Sequence, residues 1–370
     1  MKSFKNAKTN LFMLRLLLFA LVFAASGCFT DDTAVCGVKK YDAAVLAEIN
    51  RFVDDGMQKG SIPGALVAVW NDGYETLLIA RGKANVATGR DVKITDAFRA
   101  ASNTKMFTAT AVLMLADQNK LALDDKLSKY LPEIPHASEV SIRQIANHSA
   151  GYHNFNEVSA FDQTITATPL KKWTPQELID LVKDMPLDFT PGEKHSYSNT
   201  GYIILGMLIE KVSAMKWENF ITEKIFKPLE MNSSFCSIDT NIAYEHMCGY
   251  TVEGTTPVET LVDPSGAWAA GSIVSTISDM KKWLDSLQRG TLLSSEMTAE
   301  QRKWIPAGSG SYGFGVVLAE THFIGHTGGF AGFNSMMFIS LDAKKCIMVV
   351  HNVETNAGMT MGRIIRYLNL

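Results

Sequence analysis

The chain has 370 residues, 46% of them hydrophobic, with 35 basic and 38 acidic side chains and a net charge of −3. That is ample apolar material for a full core, arranged as one large or two modest domains. An acidic balance without a basic block argues against nucleic acid as a partner, because neutralising phosphates needs a positive surface.

Residues 1–28 differ in kind from the rest. Lys2, Lys5, Lys8 and Arg15 precede an apolar run at 16–25, too short for a comfortable membrane span. Small residues follow at Ala24-Ala25-Ser26-Gly27, so the segment reads as a secretory signal peptide outside the fold. Its removal would leave 31 basic against 38 acidic residues, a net charge of −7. The Ala25-Ser26-Gly27-Cys28 run also resembles a bacterial lipobox, with alanine where leucine is usual. That resemblance implies a lipid on Cys28 and a membrane-anchored protein; ordinary secretion with Cys28 unmodified is the alternative. Phe29 stands where an aspartate retains some lipoproteins in the inner membrane. For a Gram-negative source, the expectation is therefore anchoring in the outer membrane, facing the periplasm.

Residues 29–40 read as a tether and 41–370 as the folded domain. An amphipathic helix is expected over 43–57, with Val45, Leu46, Ile49, Phe52 and Val53 on one side. Strands at 65–70 and 75–80 flank Asn71-Asp72-Gly73, a hairpin signal. The region from about 102 to 287 is mostly helical with long loops, and the chain returns to strands at 321–324, 334–339 and 346–351. A helix over 357–367 closes it. Sheet, helices and sheet in that order predict an α/β unit with a mostly helical lobe inserted, and an active site in the cleft between the two.

Cys36, Cys236, Cys248 and Cys346 remain after Cys28, and an exported chain permits disulfides. Cys236 with Cys248, closing a short loop, is the first pairing expected; Cys346 in an apolar strand reads as a small buried hydrophobe. His246-Met247-Cys248 has no second ligand pair at a finger-like spacing, so no metal and no cofactor are expected.

Three motifs carry the chemistry: Ser102-Asn103-Thr104-Lys105, Tyr197-Ser198-Asn199 and His326-Thr327-Gly328-Gly329. A serine needs a base to become a nucleophile at neutral pH, and Lys105 lies one helical turn from Ser102. Lysine can be that base only if burial or neighbouring positive potential lowers its proton affinity. The same short patterns recur at Ser213, Ser278, Tyr152-His153-Asn154 and Tyr367, where they read as solvated faces or turns. Context separates the chosen set. Ser102 precedes an apolar helix (106–116), and Tyr197 follows a Pro191-Gly192 turn before another (201–212), with Asn199 or Thr200 as N-cap. His326 to Gly329 follow a short strand, where glycines let a ligand approach the backbone. Residues 153–173 form a long polar loop with Phe155, Phe161 and Trp173, suited either to rim the pocket or to pack on the surface. His148, His153 and His195 read as structural or solvent-facing.

From residue 41 onward the sequence resembles the serine β-lactamase and D,D-peptidase superfamily, in the branch of class C β-lactamases, D-alanyl-D-alanine carboxypeptidases and esterases. The likeness is carried by the three motifs and by the stretches 98–130, 140–152, 190–231 and 269–284. It implies an antiparallel sheet flanked by helices. It also implies Ser102 as acylated nucleophile, and Lys105 and Tyr197 as the proton-transfer pair. Asn199 would bond a substrate amide, and the amides of Ser102 and Gly329 would form the oxyanion hole. His326 and Thr327 would face a substrate carboxylate. Histidine at 326, where many β-lactamases have lysine, makes that attraction weaker and pH-dependent. The expectation is an exported serine hydrolase, D-alanyl-D-alanine carboxypeptidase first. β-Lactamase and esterase are the alternatives, and the substrate is a small peptide, β-lactam or ester. A non-catalytic penicillin-binding receptor fits less well, given the complete set of nucleophile, base and oxyanion elements.

Overall fold

The computed structural model describes residues 38–355 and 357–370; the leader, Cys28, Cys36 and most of the tether lie outside the described residues. Helix α1 (Ala43–Gly60) starts at Asp42, whose side chain accepts from the Val45 amide, and buries Ile49, Phe52 and Val53. Strands β1 (Gly64–Asn71) and β2 (Leu77–Asn85) form the expected hairpin, followed by a short β3 (Arg90–Asp91). The apolar helix after Ser102 is α2 (Thr104–Asp117), buried at every position from Thr104 to Leu113. Two further long helices are α3 (Asn199–Ser213) and α4 (Ile277–Arg289). The return to sheet comprises β4 (Ile305–Ala307), β5 (Gly310–Tyr312), β6 (Val317–Ala319), β7 (Phe323–Phe330), β8 (Phe333–Ser340) and β9 (Lys345–His351). Helix α5 (Gly358–Leu368) closes the chain.

These strands make one antiparallel sheet in the order β3-β2-β1-β9-β8-β7-β6-β5-β4, so the two ends of the domain meet at its middle. β1 lies against β9 with Ala65 opposite His351 and Asn71 opposite Lys345. The near-continuous apolar run of β1 follows from burial on both faces. Leu66 and Ala68 face the helical lobe with α2, whereas Ala65, Val67 and Val69 face α1 and α5. β9 divides in the same way, Met348 and Val350 to one side, Ile347 and Val349 to the other. A second small sheet of Phe98–Arg99, Ile273–Ser275 and Phe235–Cys236 ties the lobe to the approach to Ser102.

Three local expectations are corrected. Cys236, Cys248 and Cys346 are all free thiols. Cys236 packs in the main core, while Cys248 sits in a separate cluster beside Tyr250 and accepts from Asn85 Nδ2 at 3.2 Å, so the two sulfurs serve different neighbourhoods. Helix α3 begins at Asn199, with Ser198 at the N-cap and no capping side chain, because Asn199 and Thr200 are engaged with residues 153–156. His326 to Gly329 lie within β7 and not beyond it, since the ladder to β8 continues to Phe330.

Candidate active site

Ser102 is presented by a left-handed turn. Ala101 has φ 51°, which a non-glycine residue adopts at a cost of about 1–3 kcal/mol. Hydrogen bonds from three directions hold it. The Ala100 amide donates to Ile273 O (2.9 Å), and Asn103 Nδ2 donates to Ala100 O (3.0 Å) and Ser335 Oγ (2.9 Å). Ser335 on β8 donates in turn to Ala100 O (3.2 Å), and Thr104 Oγ1 accepts from the Ile273 amide (3.1 Å). β7 packs directly on this turn: a Cβ on Gly328 would stand 2.5 Å from Ala100 O and 3.0 Å from Ala101 Cβ, so only glycine fits.

One helical turn on, Lys105 Nζ stands 2.9 Å from Ser102 Oγ and donates to Ala270 O at 2.8 Å. The amine is fully buried, 4.9 Å from the Tyr197 ring centre and 5.5 Å from that of Tyr202. Burial, with no carboxylate to offset it, holds its proton affinity well below that of an ordinary lysine. The sequence required such a lysine. Burial raises the Tyr197 phenol above its ordinary range, and the Ser102 hydroxyl works against that shift.

Asn199 is oriented by two residues that the motifs did not include. Asn156 Oδ1 accepts from its Nδ2 (2.9 Å), and Asn154 Oδ1 accepts from its backbone amide (3.1 Å). Its own Oδ1 is left to accept from a ligand. Asn154 belongs to the Tyr152-His153-Asn154 copy that reads as a turn in sequence; Tyr152 is indeed structural, donating to Pro135 O (2.8 Å). The segment at 153–173 rims the pocket in part, and its aromatic side chains pack in the core and not on the surface. Phe155 and Asn156 line the cleft, while Phe161 and Trp173 are buried in the core, Phe161 edge to face with Phe155 and tilted against Trp173.

The cleft is lined by Ser102, Phe155, Asn156, Asn199, the 266–271 segment, Gly329 and Phe330. None of its lining residues is charged. β6 pairs with β7 only as far as Gly325, so residues 326–330 present a strand edge without a ladder partner on that side. Along that edge Thr327 and Gly329 are exposed. His326 is not: it is 2% exposed, and its ring faces Tyr312 and Tyr197. Burial, and then the Lys105 amine, push its proton affinity down to about 3. A histidine so placed carries no charge at neutral pH. Sequence reasoning missed Tyr312 and set His148 aside, yet both stand behind the site, the His148 ring 4.4 Å from that of Tyr197. Among the described residues, no three of His, Cys, Asp and Glu come together as a metal site.

A family profile described as Beta-lactamase matches residues 49–368. Penicillin-binding protein 4* of Bacillus subtilis is 28% identical over 297 residues, covering 74% of this chain and 64% of that protein. Protein flp of Staphylococcus aureus is 24% identical over 335 residues, 87% of this chain and 65% of that one. The chain thus spans just under two thirds of the length of these relatives. The D-amino acid amidase of Ochrobactrum anthropi superposes with a TM-score of 0.75 at 26% identity, over 88% of this chain and 99% of its own. A penicillin binding protein from Bacillus halodurans has the same fold, with TM-score 0.76 at 21% identity over 86% and 98%. Fold, profile and the meeting of the Ser102, Lys105 and Tyr197 side chains agree: the chain belongs to the Beta-lactamase family.

Proposed function

We propose that the protein hydrolyses small amides and esters through an acyl-enzyme on Ser102, and that its preferred substrates carry no carboxylate beside the scissile bond. The carrying observation is an uncharged cleft around Ser102 with a buried, neutral imidazole at 326. In this reading Ser102 Oγ attacks the acyl carbon while its proton passes to the Lys105–Tyr197 pair. The amides of Ser102 and Gly329 receive the oxyanion, as expected from the family likeness. The pair then returns the proton to the departing amine or alcohol. Water, deprotonated by the same pair, releases the acid and frees the serine.

A D-alanyl-D-alanine peptide, the first expectation from sequence, and a β-lactam both present a carboxylate. Such a group would meet no cationic side chain among the residues lining the cleft; Thr327 lies exposed on the strand edge that carries Gly329. The structural likeness to a D-amino acid amidase supports amides as the first class to assay. Export and lipid attachment at Cys28 belong to the same reading and rest on residues 1–28 alone; mass analysis of the protein from membranes, against a Cys28→Ala control, tests them.

The functional test compares p-nitrophenyl acetate, D-phenylalanine amide, a penicillin and D-alanyl-D-alanine by turnover and intact-protein mass. Ester and amide turnover that is lost in Ser102→Ala is the expected result. A kcat/KM higher on penicillin or on the free-carboxylate peptide would overturn the substrate assignment.

A further inference from the structure

Two buried histidines and a buried tyrosine join the segment that carries Tyr197 to the strand that carries His326. The Ser198 amide donates to His148 Nδ1 (3.1 Å). His148 Nε2 is 3.2 Å from the Tyr312 hydroxyl, which is 2.9 Å from His326 Nε2. His326 Nδ1 bonds the carbonyl of Thr327.

The two ends of this chain fix its direction. A backbone amide can only donate, so His148 Nδ1 is bare and its proton sits on Nε2. A backbone carbonyl can only accept, so His326 carries its proton on Nδ1. With one hydrogen per bond, His148 Nε2–H donates to Tyr312, and Tyr312 O–H donates to His326 Nε2. The two neutral rings are then in opposite tautomers. A doubly protonated His326 would aim a second N–H at the Tyr312 oxygen. The phenol hydrogen would then turn to Tyr202, whose oxygen can accept it while its own hydrogen goes to Ala146 O (2.7 Å). It is therefore burial among uncharged groups that opposes the second proton. The groups that act on the two rings are Lys105, His195, each other and the rings of Tyr197, Tyr202 and Tyr312. No carboxylate is among them to steady another cation.

We propose that Tyr312 and His148 are positioning residues: through this directed chain they hold His326 as a neutral acceptor and tie the strand edge at Thr327–Gly329 to the segment bearing Tyr197. The oxyanion edge and the proton-transfer tyrosine then keep a fixed separation without a charge between them. The proposal deepens the acyl-transfer reading and rests on it for its kinetic consequence.

Two measurements on the full chain test it. Imidazole ¹⁵N spectra of the wild type, with His148→Gln and His326→Gln for assignment, report the tautomers directly. Between about pH 5.5 and 8, His148 is expected as the Nε2–H form and His326 as the Nδ1–H form, neither titrating. Tyr312→Phe keeps the ring and removes both central bonds. On p-nitrophenyl acetate it is expected to lower kcat about tenfold with KM changed less than about twofold. A His326 protonated on both nitrogens near pH 7, either ring in the other tautomer, or an unchanged kcat in Tyr312→Phe overturns the proposal. If the wild type turns over no ester or amide, the acyl-transfer reading falls, and the tautomers still decide the hydrogen-bond chain on their own.

Discussion

Lys105 is caught between two demands, since a base must hold a lone pair and a buried amine without a carboxylate can hold little else. Because burial lowers its proton affinity, the neutral form persists to lower pH than for an exposed lysine, and kcat/KM should rise through an acid limb well below the usual lysine range. Replacing Lys105 by Met is expected to cost about 10²–10⁴-fold in kcat/KM. Lys105→Met combined with Tyr197→Phe should cost far less than the product of the single losses if, as proposed, the two serve one proton. A pH–rate profile of the wild type and a double-mutant cycle on one ester check both statements. The nucleophile turn makes a separate demand. Gly328→Ala sets a methyl group against Ala100 O and Ala101, and should lower stability by about 1–3 kcal/mol while slowing acylation, read from urea unfolding and a pre-steady-state burst.

At the scale of elements, β7 is a core strand along its first half and an edge along its second, because its pairing with β6 stops at Gly325 while its pairing with β8 continues to Phe330. Asn199 at the start of α3 faces the same cleft under the hold of Asn154 and Asn156. Asn154→Ala is therefore expected to raise KM for an amide substrate about tenfold, and to affect an ester lacking an amide donor far less. Steady-state kinetics on the paired substrates decides it. Much of this arrangement was legible beforehand. The apolar runs that became β1, β8, β9 and α2 have the lengths expected of buried strands and a buried helix. The limits lay where a partner distant in sequence decides a residue's part. Nothing near His148 announces Tyr312, 164 residues away, and the extent of β7 depends on a neighbouring strand. The short spacing of Cys236 and Cys248 suggested a loop closure that their separate clusters forbid.

Across the whole molecule, the buried histidines make folding sensitive to acid. His326 is pushed down to about 3 and His351 to about 4, and His148 is lowered as well, all chiefly by burial. An unfolded histidine takes its proton near pH 6.5, so below that pH the unfolded chain binds protons the folded one refuses. Stability is therefore complete above about pH 6.5 and declines toward pH 4, by about 1 kcal/mol per such histidine between pH 6 and 5. Urea midpoints at the two pH values measure this. His351→Leu, which removes two ring nitrogens without hydrogen-bond partners, should flatten the dependence. The seam between β1 and β9 reaches further still. Its facing residues, such as Ala65 and His351, are separated by nearly the full length of the domain. While a ribosome is still making this chain, β1 has no partner on that side, and its face toward α1 still lacks α5. The last strands out of the exit tunnel thus decide when the molecule can close, and until then a holdase has a long, sticky client.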